Sequence, residues 1–306
     1  MRIDPGTMDH HNDIYTRVRP RLHGIAYRML GSVAEAEDVV QDAWLRWHAT
    51  DQAALDNAEA WLVTVTTRLA IDRLRAAKLQ REQYFGFWLP EPLLTEAPPT
   101  PEELHAYADD LSVAFLNVLE RLSPEARAAF LMHDVFEADY AEVARILDKT
   151  QEACRQLVAR ARVQVREGRT RYQVTREAHQ RVVSGFAHAM RHGDLAGLTA
   201  LLAEDARLVG DGGGKVPSFP KPMLGGSRIA HLFYAAYRRL GTAGLRVETV
   251  ELNGRLALLR FMEGQLESAQ SFETDGERIV AMQVQRNPDK LARLLQALSA
   301  SGQLFQ

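Results

Sequence analysis

Gln151, Glu152, Arg155, Gln156 and Arg160 fall on one face of a helix whose other face is built from Leu157, Val158, Ala161 and Val165 at helical spacing. Amide, carboxylate and guanidinium groups on the opening turns of a helix can hydrogen-bond to base edges in the DNA major groove, and Arg162 joins them on the outer face. The charge balance agrees. Between Lys149 and Arg181 there are nine Lys/Arg against three Glu, on a chain whose net charge is −3. A basic face on a mildly acidic protein is the electrostatic footprint of nucleic-acid contact. The alternative reading is a solvated helix pair in an ordinary bundle; the amide, Glu and Arg set on the first turns favours the groove.

This helix needs a partner to present it. Ala141, Val143, Ala144, Ile146 and Leu147 form the apolar face of a preceding short helix, Asp148-Lys149 is too polar to continue it, and Thr150 is a good N-cap for the next. Residues 139–166 therefore read as a helix-turn-helix, the end of a helical domain over 109–171 that also holds Leu111, Phe115, Val118 and Leu119 and a Ser123-Pro124-Glu125 helix start.

A first helical domain spans 1–85. Ile14, Val18, Leu22, Ile25 and Met29 predict a helix over 9–30, bent slightly at Pro20 and closed by Gly31. Ser32 and Glu35 form a capping box opening a second helix, with Ala36, Val39, Val40, Ala43 and Trp47 inward and Asp38, Gln41, Asp42, Leu45 and Arg46 outward. A third helix, from about Ala58 to Lys78, carries Trp61 and threonines early and Arg68, Arg73, Arg75, Lys78 and Arg81 late. Trp47 reads as core; Trp61, at a helix start, leans towards function.

Composition excludes several classes. With 46% apolar and 25% charged residues the chain is an ordinary soluble one, without a run of the roughly 18–20 apolar residues that a membrane span needs and without an apolar leader, so a cytoplasmic protein is expected. The single cysteine, Cys154, excludes an internal disulfide and a cysteine-based zinc cluster; the arginines near it leave a redox role open. The histidines, including the pair His10-His11, show no metal-ligand spacing, and neither metal nor cofactor is expected.

Residues 86–108 form a linker with five prolines from Pro90 to Pro101 and acids at Glu91 and Glu96. Its opening after Phe85, with Phe87, Trp88, Leu89 and Pro90, is apolar enough to read as a docking sequence, although proline/glutamate linkers also carry stray aromatics. Residues 172–306 change character again. Two helices (one through Val182, Phe186, Ala189 and Met190, the other over GDLAGLTALL), a glycine-rich turn from Asp211 to Lys215, a helix near Ser227–Leu240 and three strand-like segments (LRVETVEL, RLALLRFM, ERIVAMQVQ) predict an α+β cone. Asp211 in a tight turn and the lone His231 do not make a catalytic set.

The order AYRMLGSVAEAEDVVQDAWLRW, AWLVTVTTRLAIDRLR, acidic linker, LSPEARAAFLMHDVFEADYAEVARIL and helix-turn-helix resembles that of bacterial extracytoplasmic-function sigma factors over roughly residues 9–170. The remainder resembles SnoaL-like domains. WLPEPL in the linker, DGGGK (Asp211, Gly212, Gly213, Gly214, Lys215) and NPDKL (Asn287, Pro288, Asp289, Lys290, Leu291) together resemble the branch of that family with a fused SnoaL-like extension. The resemblance implies a multidomain chain: two all-α sigma domains followed by the cone. It implies core RNA polymerase binding through Asp38, Gln41, Asp42, Trp44 and Arg46, and contact with the melted promoter through Trp61, Thr64, Arg68, Arg73 and Arg75. It also implies upstream duplex reading by Gln151, Glu152, Arg155, Gln156 and Arg160, and a cone that acts as a built-in regulator.

The expectation is therefore a monomeric, non-enzymatic specificity factor with polymerase and promoter DNA as partners, no membrane association, and room in the cone for an unidentified small molecule. A ligand-sensing repressor and an enzyme on a DNA-binding tether are the competing classes. The cone is expected to cover Trp88, Leu89 and Pro92 with Asp211–Lys215 and Asn287–Leu291, with Lys215 and Lys290 as cations for Glu91, and deletion after Arg286 is expected to remove NPDKL while keeping the cone.

Overall fold

In a computed structural model of the chain, the described residues are 5–51, 54–82, 84, 86–95, 111–168 and 174–302, without the side chains of 5–12 and 78–82. The His10-His11 side chains, those of Lys78 and Arg81, Phe85, Glu96, Pro98, Pro99, Pro101 and the expected boundaries at 108/109 and 171/172 lie outside that description. Two compact units are present: Met1–Glu82 with Val118–Gly168, and Gln83–Asn117 with Arg169–Gln306.

In the first unit, α1 (Pro5–Leu30) runs on through Pro20, α2 (Val33–Ala49) begins at Ser32, whose side chain accepts from Glu35 N, and α3 (Ala58–Glu82) packs against both. Leu22, Ile25, Met29, Trp47 and Leu62 are almost fully buried where they meet. Helix α4 (Val113–Leu119) crosses the division between the units at Asn117/Val118; after it, α5 (Pro124–Phe130) starts at Ser123 with proline in its first turn, and a π-helical turn, Leu131–Val135, continues it. The helix-turn-helix is α6 (Tyr140–Leu147) and α7 (Gln151–Gly168). Asp139 caps α6, Asp148 turns the chain in the left-handed region (φ 53°, ψ 51°), and Thr150 Oγ1 accepts from Ala153 N to start α7. Arg127, 2% exposed, donates to Met29 O and to Glu120, each at 2.6 Å, and so ties α5 to the end of α1.

The second unit is a six-stranded sheet of order β2-β1-β6-β5-β4-β3, antiparallel except where β1 and β6 run parallel. Its strands are β1 (Leu202–Asp211), β2 (Met223–Leu224), β3 (Leu245–Leu252), β4 (Arg255–Met262), β5 (Gln265–Thr274) and β6 (Ile279–Gln285). Helices α8 (Arg176–His192), α9 (Leu195–Ala200) and α10 (Gly226–Gly244) cover one face, with Phe186, Phe233, Leu258 and Phe272 in that core. The other face is covered by α11 (Pro288–Ala300) and the linker: Leu94, Leu291, Leu294 and Leu298 pack on Val250, Leu259, Phe261 and Ala269. Helices packed on one six-stranded sheet is the SnoaL-like arrangement.

Two expectations need correction here. Three strand-like segments became six strands. GDLAGLTALL stops being helical at Ala200 and its last leucine opens β1, while β5 escapes a hydrophobicity reading because its buried positions include Ser268 and Gln270. Nor does removal after Arg286 leave the cone intact. NPDKL is the first turn of α11, with Asn287 as N-cap and Pro288 at its start, and the deletion strips the apolar cover from one sheet face. Leu294→Ala is therefore expected to destabilise the second unit by about 2–5 kcal/mol, as for other buried leucines, read as a lower urea midpoint for exchange protection of β4 and β5. An unchanged midpoint would mean that α11 is not part of the core.

Candidate nucleic-acid interface and linker-binding site

Gln151, Glu152, Arg155, Gln156 and Arg160 are all exposed on α7, opposite buried Cys154, Val158, Ala161 and Val165. Arg155 lies over the Tyr140 ring at 5.3 Å, with Nη2 3.4 Å from Gln151 Oε1, and Arg160 Nε is 3.3 Å from Gln156 O. Those local ties steer two guanidiniums without burying them. Arg162 is different: it pairs bidentately with Asp134 at 2.7 Å per bond, which bolts α7 to the π-helical turn. Cys154 is fully buried, and burial pushes its thiol up, against the weaker pull of Lys149.

The first domain's residues form a second surface. Asp38, Gln41 and Arg46 are exposed on α2 and flank Leu45, which is 58% exposed, while Asp42 is half-buried. Trp44 is drawn inward, its ring 4.4 Å from Tyr15 and 4.0 Å from His48. Trp61 is half-buried beside Trp47 at 5.7 Å, so part of it is packing, and Thr64 Oγ1 bonds back to Ala60 O. Arg68, Arg73 and Arg75 of α3 have protein partners. Arg73 pairs with Asp42 at 3.1 Å and Asp38 at 3.7 Å, joining a side chain expected to meet DNA to two expected to meet polymerase. Arg68 donates to Arg145 O and Ile146 O, both at 2.8 Å, and so caps the last carbonyls of α6. Arg75 reaches Glu125 at 2.5 Å; that bond, the largest effect, holds the Glu125 carboxyl below its usual range and raises Arg75.

The third assembly lies within the second unit, where linker residues meet the ends of β1, β6 and α11. Asp211, the last residue of β1, has no solvent exposure, and five donors converge on its carboxylate. They are Tyr84 Oη (2.5 Å), Lys290 Nζ (2.8 Å), Gly213 N (2.9 Å), Leu89 N (3.0 Å) and Gln285 Nε2 (3.3 Å). Lys290 also donates to Leu89 O at 2.6 Å and sits 4.2 Å from the Trp88 ring centre; Gln285 reaches Leu89 O and Pro90 O at 3.4 Å. Leu89, Pro90, Glu91 and Pro92 are buried. Burial first, then the hydrogen bond to Asp211, pushes the Tyr84 phenol far above its ordinary value, so it stays a donor. Further on, Leu93 and Asn253 exchange hydrogen bonds (2.8 and 3.0 Å), Thr95 N reaches Glu251 O at 3.0 Å, and Leu94 bridges to Leu252 on the edge strand β3.

The expected surface is thus largely assembled, with differences of detail. Glu91 is approached by Arg293 at 3.8 Å, Lys215 pairs with Asp289 at the surface, and Lys290 pairs with Asp211. At Gly213 (φ 65°) a Cβ would stand 2.5 Å from the Asn287 side chain, and at Gly212 it would stand 2.3 Å from Val216 O, so these glycines let Asn287 close over the turn. Asn287 Nδ2 in turn donates to Tyr84 Oη at 3.1 Å, and Leu291 belongs to the core. Sequence reasoning missed Tyr84, Gln285, Asn253 and Arg293; only the polar glutamine at the end of an apolar strand offered a signal.

Removing one partner of a buried ion pair typically costs about 3–5 kcal/mol. Asp211→Asn takes the buried carboxylate away from Lys290, so it is expected to open residues 86–95 to amide exchange and proteolysis by at least an order of magnitude while the β4–β5 amides keep their protection. Unchanged protection of 86–95 would show that apolar packing alone holds the linker.

Comparison with known proteins follows this geometry. Residues 14–80 match the model for sigma-70 region 2 and residues 112–165 that for sigma-70 region 4. The chain is 40% identical over 229 residues to the ECF RNA polymerase sigma factor SigJ of Mycobacterium tuberculosis, covering 74% of this chain and 73% of that protein. It is 32% identical over 186 residues to the probable ECF RNA polymerase sigma factor SigI of the same species, covering 60% and 64%. The crystal structure of M. tuberculosis SigJ superposes with a TM-score of 0.74 at 33% identity, over 92% of this chain and 98% of that one. Among the described residues no helix is long and apolar enough to cross a membrane. The chain belongs to the extracytoplasmic-function sigma factors, regulators of promoter-specific transcription initiation by RNA polymerase rather than enzymes.

Proposed function

We propose that this sigma factor reads its upstream promoter element with the exposed row on α7, and that its C-terminal domain sets its activity by holding the linker. The buried carboxylate of Asp211 with its five donors carries the regulatory half. A linker seated only by apolar side chains could slide, whereas main-chain bonds to Leu89 define its position along the sheet edge. The length of linker left between the two promoter-reading regions then depends on whether the latch is closed. The reading residues are Gln151, Glu152, Arg155, Gln156 and Arg160. Trp61, Thr64, Arg68, Arg73 and Arg75 serve the melted strand, and Asp38, Gln41, Asp42, Trp44 and Arg46 serve the polymerase. Because Arg68, Arg73 and Arg75 have internal partners, this second set works by exchanging carboxylates and carbonyls for phosphates. The domain boundaries proposed are 1–85, 86–108, 109–171 and 172–306, in a monomeric, cytoplasmic protein.

Run-off transcription with core polymerase and the gene's own upstream region tests this. Arg155→Ala is expected to relax preference at one position of the upstream element by roughly 1–3 kcal/mol, and Asp38→Arg with Asp42→Arg to abolish co-purification with core enzyme at unchanged helicity. Trp88→Ala and Asp211→Asn are expected to raise transcript yield at equal protein level. Equal yields from wild type and both latch variants would end the regulatory reading, and tight operator binding insensitive to polymerase would favour a repressor.

A further inference from the structure

On the opposite side of the sheet from the linker, the second unit holds a cavity of about 380 Å³. Its walls are apolar, including Leu208, Phe219, Leu232, Met262 and Val284. Its floor is not. Arg260, only 8% exposed in β4, places Nε and Nη2 at 2.8 and 2.6 Å from Glu267 Oε2, with its guanidinium 5.2 Å from the Phe233 ring. Arg286, just past β6, places Nε 2.6 Å from Glu267 Oε1 and also donates to Pro217 O. Arg239 stands exposed at the rim. Burial alone would raise the Glu267 carboxyl, but Arg260 and Arg286 more than offset it and hold it low, so it is ionised.

Two features separate this cluster from an ordinary structural ion pair. Glu267 is the extra residue of a β-bulge: Arg260 is opposite Ser268 and Phe261 opposite Leu266, which leaves Glu267 without a cross-strand partner and turned to the arginines. The charges also do not balance. Two guanidiniums line the cavity around one carboxylate: Glu267 takes two of the five donors of Arg260, while Arg286 Nε, 2.6 Å from Glu267 Oε1, makes no aligned hydrogen bond. A volume in the range of small-molecule sites, apolar walls and one unneutralised positive charge at the base define a ligand by complementarity.

We propose that this cavity binds an amphipathic monoanion, a carboxylate carrying an unbranched or aromatic apolar body, with the carboxylate on Arg260 and Arg286 and the body along Leu208, Leu232 and Val284. The site does not depend on how the linker is used, though it adjoins it: Arg286 follows Gln285, and its backbone N–H donates to Asp211 O at 2.7 Å.

The test is isothermal titration of the full chain with sodium decanoate, decanol and sodium acetate as probes. Decanoate is expected to bind about tenfold or more tightly than either of the others, since a charge-assisted bidentate contact and apolar burial are both needed. Arg286→Gln and, at the exposed rim where folding is not at stake, Arg239→Glu are each expected to weaken decanoate several-fold, whereas Glu267→Gln tightens it. Absence of decanoate binding, decanol binding as tightly as decanoate, or an affinity unmoved by both arginine changes would overturn the proposal. These readouts involve no transcription, so they can fail while the latch reading stands, and the reverse.

Discussion

A carboxylate removed from water needs enough donors to replace its hydration, and Asp211 is the place where this chain meets that need by bringing distant segments together. A tyrosine comes from just before the linker and a main-chain amide from the linker itself, an amide from the glycine turn, a glutamine from β6 and a lysine from α11. Each donor alone is worth little against water; the group of five is stable because leaving any acceptor site unmet inside the protein is costly. Tyr84 and Asp211 are 127 residues apart, so one carboxylate joins segments distant in the chain.

The glycine turn and the N-cap of α11 follow from the same constraint. Asn287 can cap its helix through Asp289 N and still reach Tyr84 only if the turn beneath it lacks side chains. Lys290 can reach Asp211 only because it sits one turn into a helix whose Leu291, Leu294 and Leu298 are anchored on the sheet. Apolar packing supplies the stability, and the polar set supplies the register.

In the first unit, positive charge is handled differently. Arg127 is buried and structural, tied to Met29 O and Glu120. Arg68, Arg73 and Arg75 stay near the surface and contact carbonyls or carboxylates, interactions that solvent screening keeps weak and exchangeable. The α7 arginines Arg155 and Arg160 contact only their own neighbourhood. The arginines of this unit thus grade from a buried scaffold tie to exposed side chains on α7.

Helical periodicity, caps and the turn at Asp148 were written in adjacent residues, so α1 to α3, α6, α7 and the outward face of α7 could be read directly, as could the apolar WLP segment that demands cover. The strands β1 and β5 could not, because sheet formation depends on neighbours distant in sequence, and buried polar residues such as Gln270 and Gln285 look like surface until those neighbours are in place. Nor could the partner of each charge. That Lys290 meets Asp211, Glu91 meets Arg293 and Arg162 meets Asp134 depends on which side chains come within a few ångströms after folding, and composition does not distinguish among many possible pairs. Local sequence determined the helices, their caps and the chemistry they expose. Only the tertiary structure decided which charges are spent on holding the fold, because Coulomb and hydrogen-bond energies fall off over distances that sequence spacing does not report.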